Sequence, residues 1–364
     1  MGFVKVEKYP LEIAAQVSLD GMRSAIQRAR AALYPPVPPD LHALGQQLQA
    51  NPLLAASLDG GDNLYAGTVE TPATRSVVFM SRRMQRALAR TSRVFCDATF
   101  ASRPNEPQAR QIIPLGRVLM TGKSEAEYAA VLHHVRQLVP QFNPLVIMTD
   151  FEVGLQNAWK TVFPNAQVIG CYWHCCRAVL KKARELGLVP FMNQHRQLRS
   201  LIRAMCALPL LPQALMGRGL NTLIQEATRR GYVQFLNPYF NYMIDTWMTN
   251  PLFSTMSVYD QPHRTNNVSE SCNRMLRSKT GAHRPGLWHF LTAVRRLEQS
   301  ATLTLIAAHR GHHVARPKKV SAVNNDLRIR NYITLLLVDN EISINRFLHL
   351  ASTRVMNVFE QFIV

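Results

Sequence analysis

The sequence predicts an α/β protein, and the stretch 143–174 is the main reason. It contains two short apolar runs, 145–148 and 167–170, whose length and β-branched content are typical of buried strands. Between them, apolar residues three and four apart predict a helix that packs on a sheet. Asp150 directly follows the first strand, at the strand end where open α/β sheets hold ligands. The second strand is followed by Cys171 and His174.

A further strand is predicted over 93–100, and it also carries a carboxylate, Asp97. An acid in an apolar, β-prone run is costly to bury unless it is hydrogen-bonded or bound to a metal. A β-like run at 112–120 comes next. The tetrapeptide that follows it, 121–124, has the sequence found at the end of a phosphate-binding loop. That loop requires glycine at position 117, which is arginine here. Ser124 and Glu127 are instead spaced as a capping box that begins a helix.

The remaining segments have mainly helical patterns, including an apolar helical spacing at 11–33 and a capped basic helix at 81–90. A proline-rich break at 35–39 separates the two. The predicted organisation is a helical N-terminal region (1–90), the first part of an α/β core (91–176), a helical insertion (177–262), a helix that completes the core (263–310), and a basic C-terminal segment (311–364) with a loop at 311–330.

Charge favours a polyanionic partner. The 364 residues include 42 Lys and Arg against 23 Asp and Glu, a net charge of +19. Residues 264–330 contain thirteen basic and three acidic residues, a net charge of +10. This segment is either a phosphate-binding surface or simply a solvated basic face. No apolar run approaches the roughly 20 residues of a membrane span, and the N-terminus lacks the layout of a signal peptide. We therefore expect nucleic acid rather than membrane as partner, and reduced cysteines in an intracellular compartment.

Acids at the ends of neighbouring strands, joined by a third on a helix, suit a divalent-metal site for phosphoryl transfer. Asp97 and Asp150 are the first two candidates, although a strand-end aspartate also caps turns. For the third we favour Glu270, which shares a predicted helix face with Asn273 and Arg274. A capped, exposed helix start is the alternative. The other acids that could serve are Glu152, Glu185, Glu226, Asp245 and Glu298.

Five blocks, in this order, resemble the transposases of Mutator-like elements (MULE): DATF (97–100), LMTGKSEAEY (119–128), TDFE (149–152), FPNAQVIGCYWH (163–174) and TNNVSESCNR (265–274). The resemblance implies an RNase H-like mixed sheet flanked by helices, with an all-α insertion before the last acid. It implies a DDE triad of Asp97, Asp150 and Glu270 that holds Mg²⁺ or Mn²⁺. The implied reaction cuts DNA at element ends and joins the freed 3′ ends to target DNA.

The resemblance also carries expectations about ligands and partners. Cys171 and His174 match the family's C-x-x-H, but a zinc site needs four ligands. Cys175, Cys176, His263 or Cys272 could complete one, so Zn²⁺ and a packing or DNA-positioning role all stay open. The partner is double-stranded DNA, at terminal repeats and target, with a homo-oligomeric synaptic complex and a nuclear location as further expectations. The expected DNA contacts are Arg264, Asn267, Asn273, Arg274, Arg277, Lys279 and Arg284.

The chain departs from the family in three ways. Ala98 replaces the usual glycine after the first Asp, and no C-x2–4-C…H-x3–5-H zinc finger is visible. Residues 100–120 are short for two strands, and only 112–120 has a strand pattern. One strand is therefore expected to be clipped or reduced to an edge, which puts residual activity in question. Two alternatives follow: a domesticated, non-catalytic DNA-binding or chromatin-associated protein, and a nuclease acting on RNA–DNA hybrids.

Overall fold

The computed structural model describes residues 34–96, 99–104, 113–280, 286–312 and 319–354, together with residues 29 and 314. A seven-stranded sheet lies at its centre. The strands are β1 (Tyr65–Glu70), β2 (Arg75–Phe79), β3 (Thr91–Cys96), β4 (Thr99–Pro104), β5 (Ile113–Met120), β6 (Val146–Thr149) and β7 (Gln167–Gly170). Their order across the sheet is β1-β2-β5-β4-β3-β6-β7.

The sheet is mixed. The pairs from β1 through β2, β5 and β4 to β3 are antiparallel, whereas β3, β6 and β7 run parallel. Parallel neighbours need a crossover, which helix α4 (Val153–Val162) supplies between β6 and β7. Helix α3 (Glu125–Leu138) connects β5 to β6. The prediction of an α/β fold is therefore confirmed.

Helices cover both faces of this sheet. On β2, Val78 packs with side chains of α3 and α4, whereas its neighbours Val77 and Phe79 pack on the other face. That second face is covered by α1 (Leu41–Ala50), α11 (Asn267–Thr280) and α12 (Leu287–His309). The alternation follows from the two-residue period of a strand, which makes β2 apolar on both sides.

The predicted start of α3 is confirmed, with one difference in its capping. Ser124 is the N-cap, and its hydroxyl accepts a hydrogen bond from the Glu127 amide at 3.2 Å. The Glu127 carboxylate is buried, accepts from the Ser76 hydroxyl at 3.0 Å and from the amide of Thr121 at 3.2 Å, and so ties the helix to β2. The Glu127 carboxylate therefore forms hydrogen bonds to the sheet and does not complete a reciprocal capping box with Ser124.

Between β7 and α11 the chain is helical and has its own apolar core. The helices are α5 (Tyr172–Glu185), α6 (Val189–Gln194), α7 (Arg196–Met205), α8 (Gln213–Arg229), α9 (Val233–Tyr242), which continues as a π-helix (Met243–Met248), and α10 (Phe253–Met256). Two C-terminal helices, α13 (Val320–Leu337) and α14 (Ile344–Ser352), add Ile329, Leu336, Phe347 and Leu348 to that core. No helix in the described ranges has both the length and the apolar character of a membrane span.

The prediction that 1–90 is helical is wrong for part of its described residues, because β1 and β2 form a hairpin there. The hairpin turn is closed by Thr71, whose amide donates to the Thr74 carbonyl at 3.0 Å. The β-branched content of 65–79 and a proline in the turn are typical hairpin signals. The basic helix predicted at 81–90 is confirmed as α2 (Arg82–Ala89), with Ser81 as its N-cap. The helix predicted over 11–33 lies, apart from residue 29, outside the described residues.

Two further predictions are wrong. The strand in 100–120 that was expected to be clipped or reduced to an edge is the complete strand β4, which bonds to β3 on one side and to β5 on the other. Pairing on both edges supports a strand whose own composition is a poor strand signal. The loop predicted at 311–330 becomes helix α13 from Val320 onward. Its buried Ile329 and Leu336 face the helical core, so the polar residues at 324–330 lie mainly on the other side of an amphipathic helix.

Candidate active site

The three parallel strands end together at one edge of the sheet. Cys96, the last residue of β3, pairs with Thr149 of β6, and Thr149 pairs with Gly170 of β7. Asp150 therefore begins where β6 ends, beside the end of β3. Asp97 follows Cys96 in the chain but lies outside the described residues. This edge is where an α/β sheet presents ligand-binding side chains.

His174 joins the two described acids. It lies in the first turn of α5, with Nδ1 3.0 Å from Oδ1 of Asp150 and Nε2 3.8 Å from Oε1 of Glu270. Glu270 is in the first turn of α11, far along the chain from Asp150. A single imidazole ring thus separates the two carboxylates, and the structure brings Asp150, His174 and Glu270 to one place.

The cluster is partly open to solvent. The side chains of His174, Asp150 and Glu270 are 23%, 31% and 33% exposed, enough for a substrate to reach them. Oδ1 of Asp150 and Nδ1 of His174 are buried atoms. They are close enough for an ion pair, and neither forms a hydrogen bond of good geometry among the described residues. Burial lowers the pKa of His174, but the Asp150 carboxylate and the Cys171 sulfur raise it by more, to about 10. At neutral pH the ring is therefore a cation between two acids.

Asn266 positions helix α11 at this edge. It is fully buried; its backbone amide donates to Sγ of Cys171 at 3.1 Å, and its side-chain Nδ2 donates to the Cys96 carbonyl at 3.3 Å. Two residues earlier, the Arg264 carbonyl accepts from the Tyr172 amide at 2.8 Å. These bonds join the entrance of α11 to the ends of β3 and β7. The motif at 265–274 includes Asn266, but sequence reasoning missed this role, for which a polar residue just before a predicted helix was the available signal.

Arg117 is a second residue that the sequence did not single out. It lies on β5, is buried, and donates from Nη2 to the Cys272 carbonyl of α11 at 3.3 Å. Burial lowers its pKa to about 10. Burying a guanidinium costs free energy, and the contact of Arg117 with Cys272 supports the helix that carries Glu270.

Cys171 serves as a hydrogen-bond acceptor in the described structure. Cys175 and Cys176, which could have extended a zinc site, are buried in the helical core, and burial raises the pKa of each thiol well above its usual value. A raised pKa disfavours the thiolate that zinc binds. In the part of the chain that the structure describes, no three His, Cys, Asp or Glu side chains surround a common metal position. The observed contacts of Cys171 therefore support a packing role for this residue.

The predicted DNA contacts separate into three groups. Arg264 forms an ion pair with Asp326 of α13, so its guanidinium joins two parts of the protein. On α11, Asn267, Arg274, Arg277 and Lys279 are exposed, and Asn273 is partly buried. Arg284 lies outside the described residues. Arg274 and Arg277 lie on the side of α11 that also carries Glu270, four and seven residues after it.

Gly170 lets the chain close tightly over the site. A β-carbon at position 170 would lie 2.2 Å from Cζ of Phe151, the residue after Asp150. The Phe151 ring also packs edge-to-face with Trp247, with ring centroids 4.9 Å apart and an interplanar angle of 85°. Trp247 is itself buried. The position of Asp150 therefore depends on a residue without a side chain at the end of β7.

The protein thus has an α/β fold in which one edge of the sheet brings the carboxylates of Asp150 and Glu270 to the same histidine. Residues 96–178 match the family model of the MULE transposase domain. The resemblance noted in the sequence is confirmed over that segment, which includes Asp97, Asp150, Cys171 and His174, and a transposase-type function on DNA is indicated. A comparison with curated proteins gives no match.

Proposed function

We propose that this protein is a DDE transposase, or a protein derived from one, that cleaves DNA ends and joins them to target DNA. The observation that carries the proposal is the approach of Asp150 and Glu270 to the same His174 ring, at the edge where β3 leads into Asp97. Strands β5, β4 and β3 are antiparallel, and β6 and β7 continue the sheet parallel to β3. This arrangement supports an RNase H-like core. The helices between β7 and α11 then correspond to the all-α insertion.

The acids suit Mg²⁺ or Mn²⁺, which Asp97, Asp150 and Glu270 would hold. Asp150 and Glu270 are partly open to solvent and present carboxylate oxygens, the ligands that these hard divalent ions prefer. Two such ions would activate the attacking oxygen and stabilise the leaving oxygen of the phosphodiester.

His174 and Asn266 prepare the site. The imidazolium of His174 offsets the repulsion between Asp150 and Glu270, which keeps two like charges close in the folded chain. Asn266 holds α11 against β3 and β7, which sets the position of Glu270. The exposed cations of α11 bind DNA phosphates next to the acids. Action on chromosomal DNA would place the protein in the nucleus, and joining two ends would require a homo-oligomeric complex.

The proposal is tested by incubating the protein with supercoiled plasmid carrying the DNA that flanks its gene. Mn²⁺-dependent nicking that EDTA abolishes is expected, together with little cleavage of an RNA–DNA hybrid. Salt-sensitive binding without nicking would favour the non-catalytic DNA-binding alternative. Preferential cleavage of the hybrid would favour the RNase H-type alternative.

Gly170→Ala is expected to lower the nicking rate by about 10- to 100-fold, because displacement of Phe151 moves Asp150 and small misplacements are costly in catalysis. The stability loss should be about 1–3 kcal/mol, as for other overpacked sites. Plasmid nicking and urea unfolding measure the two effects. Gly217→Ala is the matched control, because nothing lies within 4 Å of a β-carbon there. If Gly170→Ala nicks at the wild-type rate, Phe151 does not set the position of Asp150.

A further inference from the structure

Two basic stretches that are far apart in the sequence meet in one groove. Helix α2 supplies Arg83 and Arg86, and Arg90 directly follows its last residue. Helix α12 supplies His309, and Arg310 directly follows it. The groove between them has a volume of about 600 Å³. Arg86, Arg90 and Arg310 are exposed. The groove therefore offers several cations to solvent over a confined area.

The groove has a net positive charge. Its lining contains four arginines and one acid, Asp59, which gives +3 with His309 neutral. Asp59 is already engaged by Arg83, with Nη1 and Oδ2 2.6 Å apart. Its pKa falls to about 2, because the Ser57 hydroxyl and the Arg83 guanidinium both donate to it. The charge of Asp59 is thus matched by Arg83, and the proposal rests on the two exposed cations Arg86 and Arg310.

The shape and chemistry of the lining suit a nucleic-acid backbone. Arg86 and Arg90 are one helical turn apart, about 6 Å along the axis, similar to the spacing of successive phosphates on one strand. The cations are guanidiniums, whose planar donors match phosphate oxygens in pairs. The lining also includes the apolar residues Ala87, Leu305 and Ile306, which can contact the apolar faces of deoxyribose.

The groove is distant from the acids. Arg90 directly precedes Thr91, the first residue of β3, whereas the candidate active site begins after Cys96, the last residue. Six strand residues extend roughly 17 Å, a distance that corresponds to about five base pairs of duplex. We propose that this groove is a second phosphate-binding surface, which holds duplex DNA at the end of the sheet opposite the candidate active site. The inference deepens the proposed function and rests on it for the choice of DNA over other polyanions.

The test is a charge reversal in the full-length protein, Arg86→Glu with Arg310→Glu. Binding of a fluorescent DNA duplex is followed by anisotropy over a range of salt concentrations. We expect the slope of log affinity against log salt to shrink by about two, one for each phosphate that the protein no longer neutralises. The control is Arg218→Glu with Arg229→Glu, two exposed arginines on α8 that change the net charge equally. The control slope should stay within about 0.5 of wild type.

Two additions make the outcome decisive. Arg86→Gln with Arg310→Gln should give the same change of slope with less electrostatic repulsion, and circular dichroism checks folding of each variant. An unchanged slope in both groove variants overturns the inference, as does binding of polyglutamate, but not DNA, at the groove. Nicking at saturating DNA separates the two proposals. If wild-type protein does not nick but the slope still shrinks, the enzyme assignment fails and the groove assignment stands.

Discussion

Asp150→Asn is expected to reduce Mn²⁺-dependent nicking by at least about 10³-fold. The substitution keeps the size of the side chain but removes a negative charge from the strand edge where Glu270 also lies. Loss of several kcal/mol of transition-state stabilisation by a metal corresponds to such a factor, at 1.36 kcal/mol per tenfold. Conversion of supercoiled plasmid to the open-circular form measures the effect.

A second measurement separates loss of metal from loss of fold. Saturating Mn²⁺ should stabilise the wild-type protein, by about 2.7 kcal/mol when the metal is present at 100 times its Kd, and should not stabilise Asp150→Asn. Glu185→Gln is the control: it makes the same chemical change on an exposed acid of α5. It should nick and respond to Mn²⁺ like wild type. Wild-type nicking by Asp150→Asn would contradict the assignment of this edge as the active site.

Trp159→Ala is expected to destabilise the fold by about 3–5 kcal/mol, as removal of a large buried aromatic does elsewhere. Trp159 lies in α4 and is completely buried against the sheet. Its ring centroid is 5.3 Å from that of Phe163, which in turn lies 5.1 Å from Phe142. The loss is a large part of the roughly 5–15 kcal/mol by which proteins are usually stable. Urea unfolding followed by circular dichroism measures it.

The control for that prediction is Phe235→Ala. Phe235 is 40% exposed and has an aromatic partner, Phe191, at 4.6 Å, so its loss should cost only about 1 kcal/mol. If Trp159→Ala costs no more than Phe235→Ala, the β6-α4-β7 unit is not the packed centre of the sheet. A large cost at Trp159 with little at Phe235 would support that arrangement.

Local patterns in the sequence were enough to predict the β6-α4-β7 unit. Its strands are continuous apolar runs because both sheet faces are covered, and α4 has one apolar stripe because only one side is buried. The position of Asp150 after β6 follows from the same local signal. Ser81 and Ser124 likewise marked helix starts, since an N-cap bonds within its own first turn.

Strands that depend on distant partners could not be predicted in this way. β4 has few β-branched residues and is stabilised by backbone bonds to β3 and β5 on its two sides. The β1–β2 hairpin carried a recognisable turn, but its place in the sheet depends on β2 pairing with β5. Because such pairing energy comes from another segment, a window of the sequence does not contain it.

By itself the sequence determined the α/β class, the acids at the strand ends and the family resemblance later confirmed over 96–178. Only the tertiary structure decided that Glu270 lies beside Asp150, since a whole helical region separates them and the bonds of Asn266 close that distance. The same holds for the groove between α2 and α12. Periodicity records which side of an element is buried, whereas proximity between remote residues depends on how the complete set of elements packs.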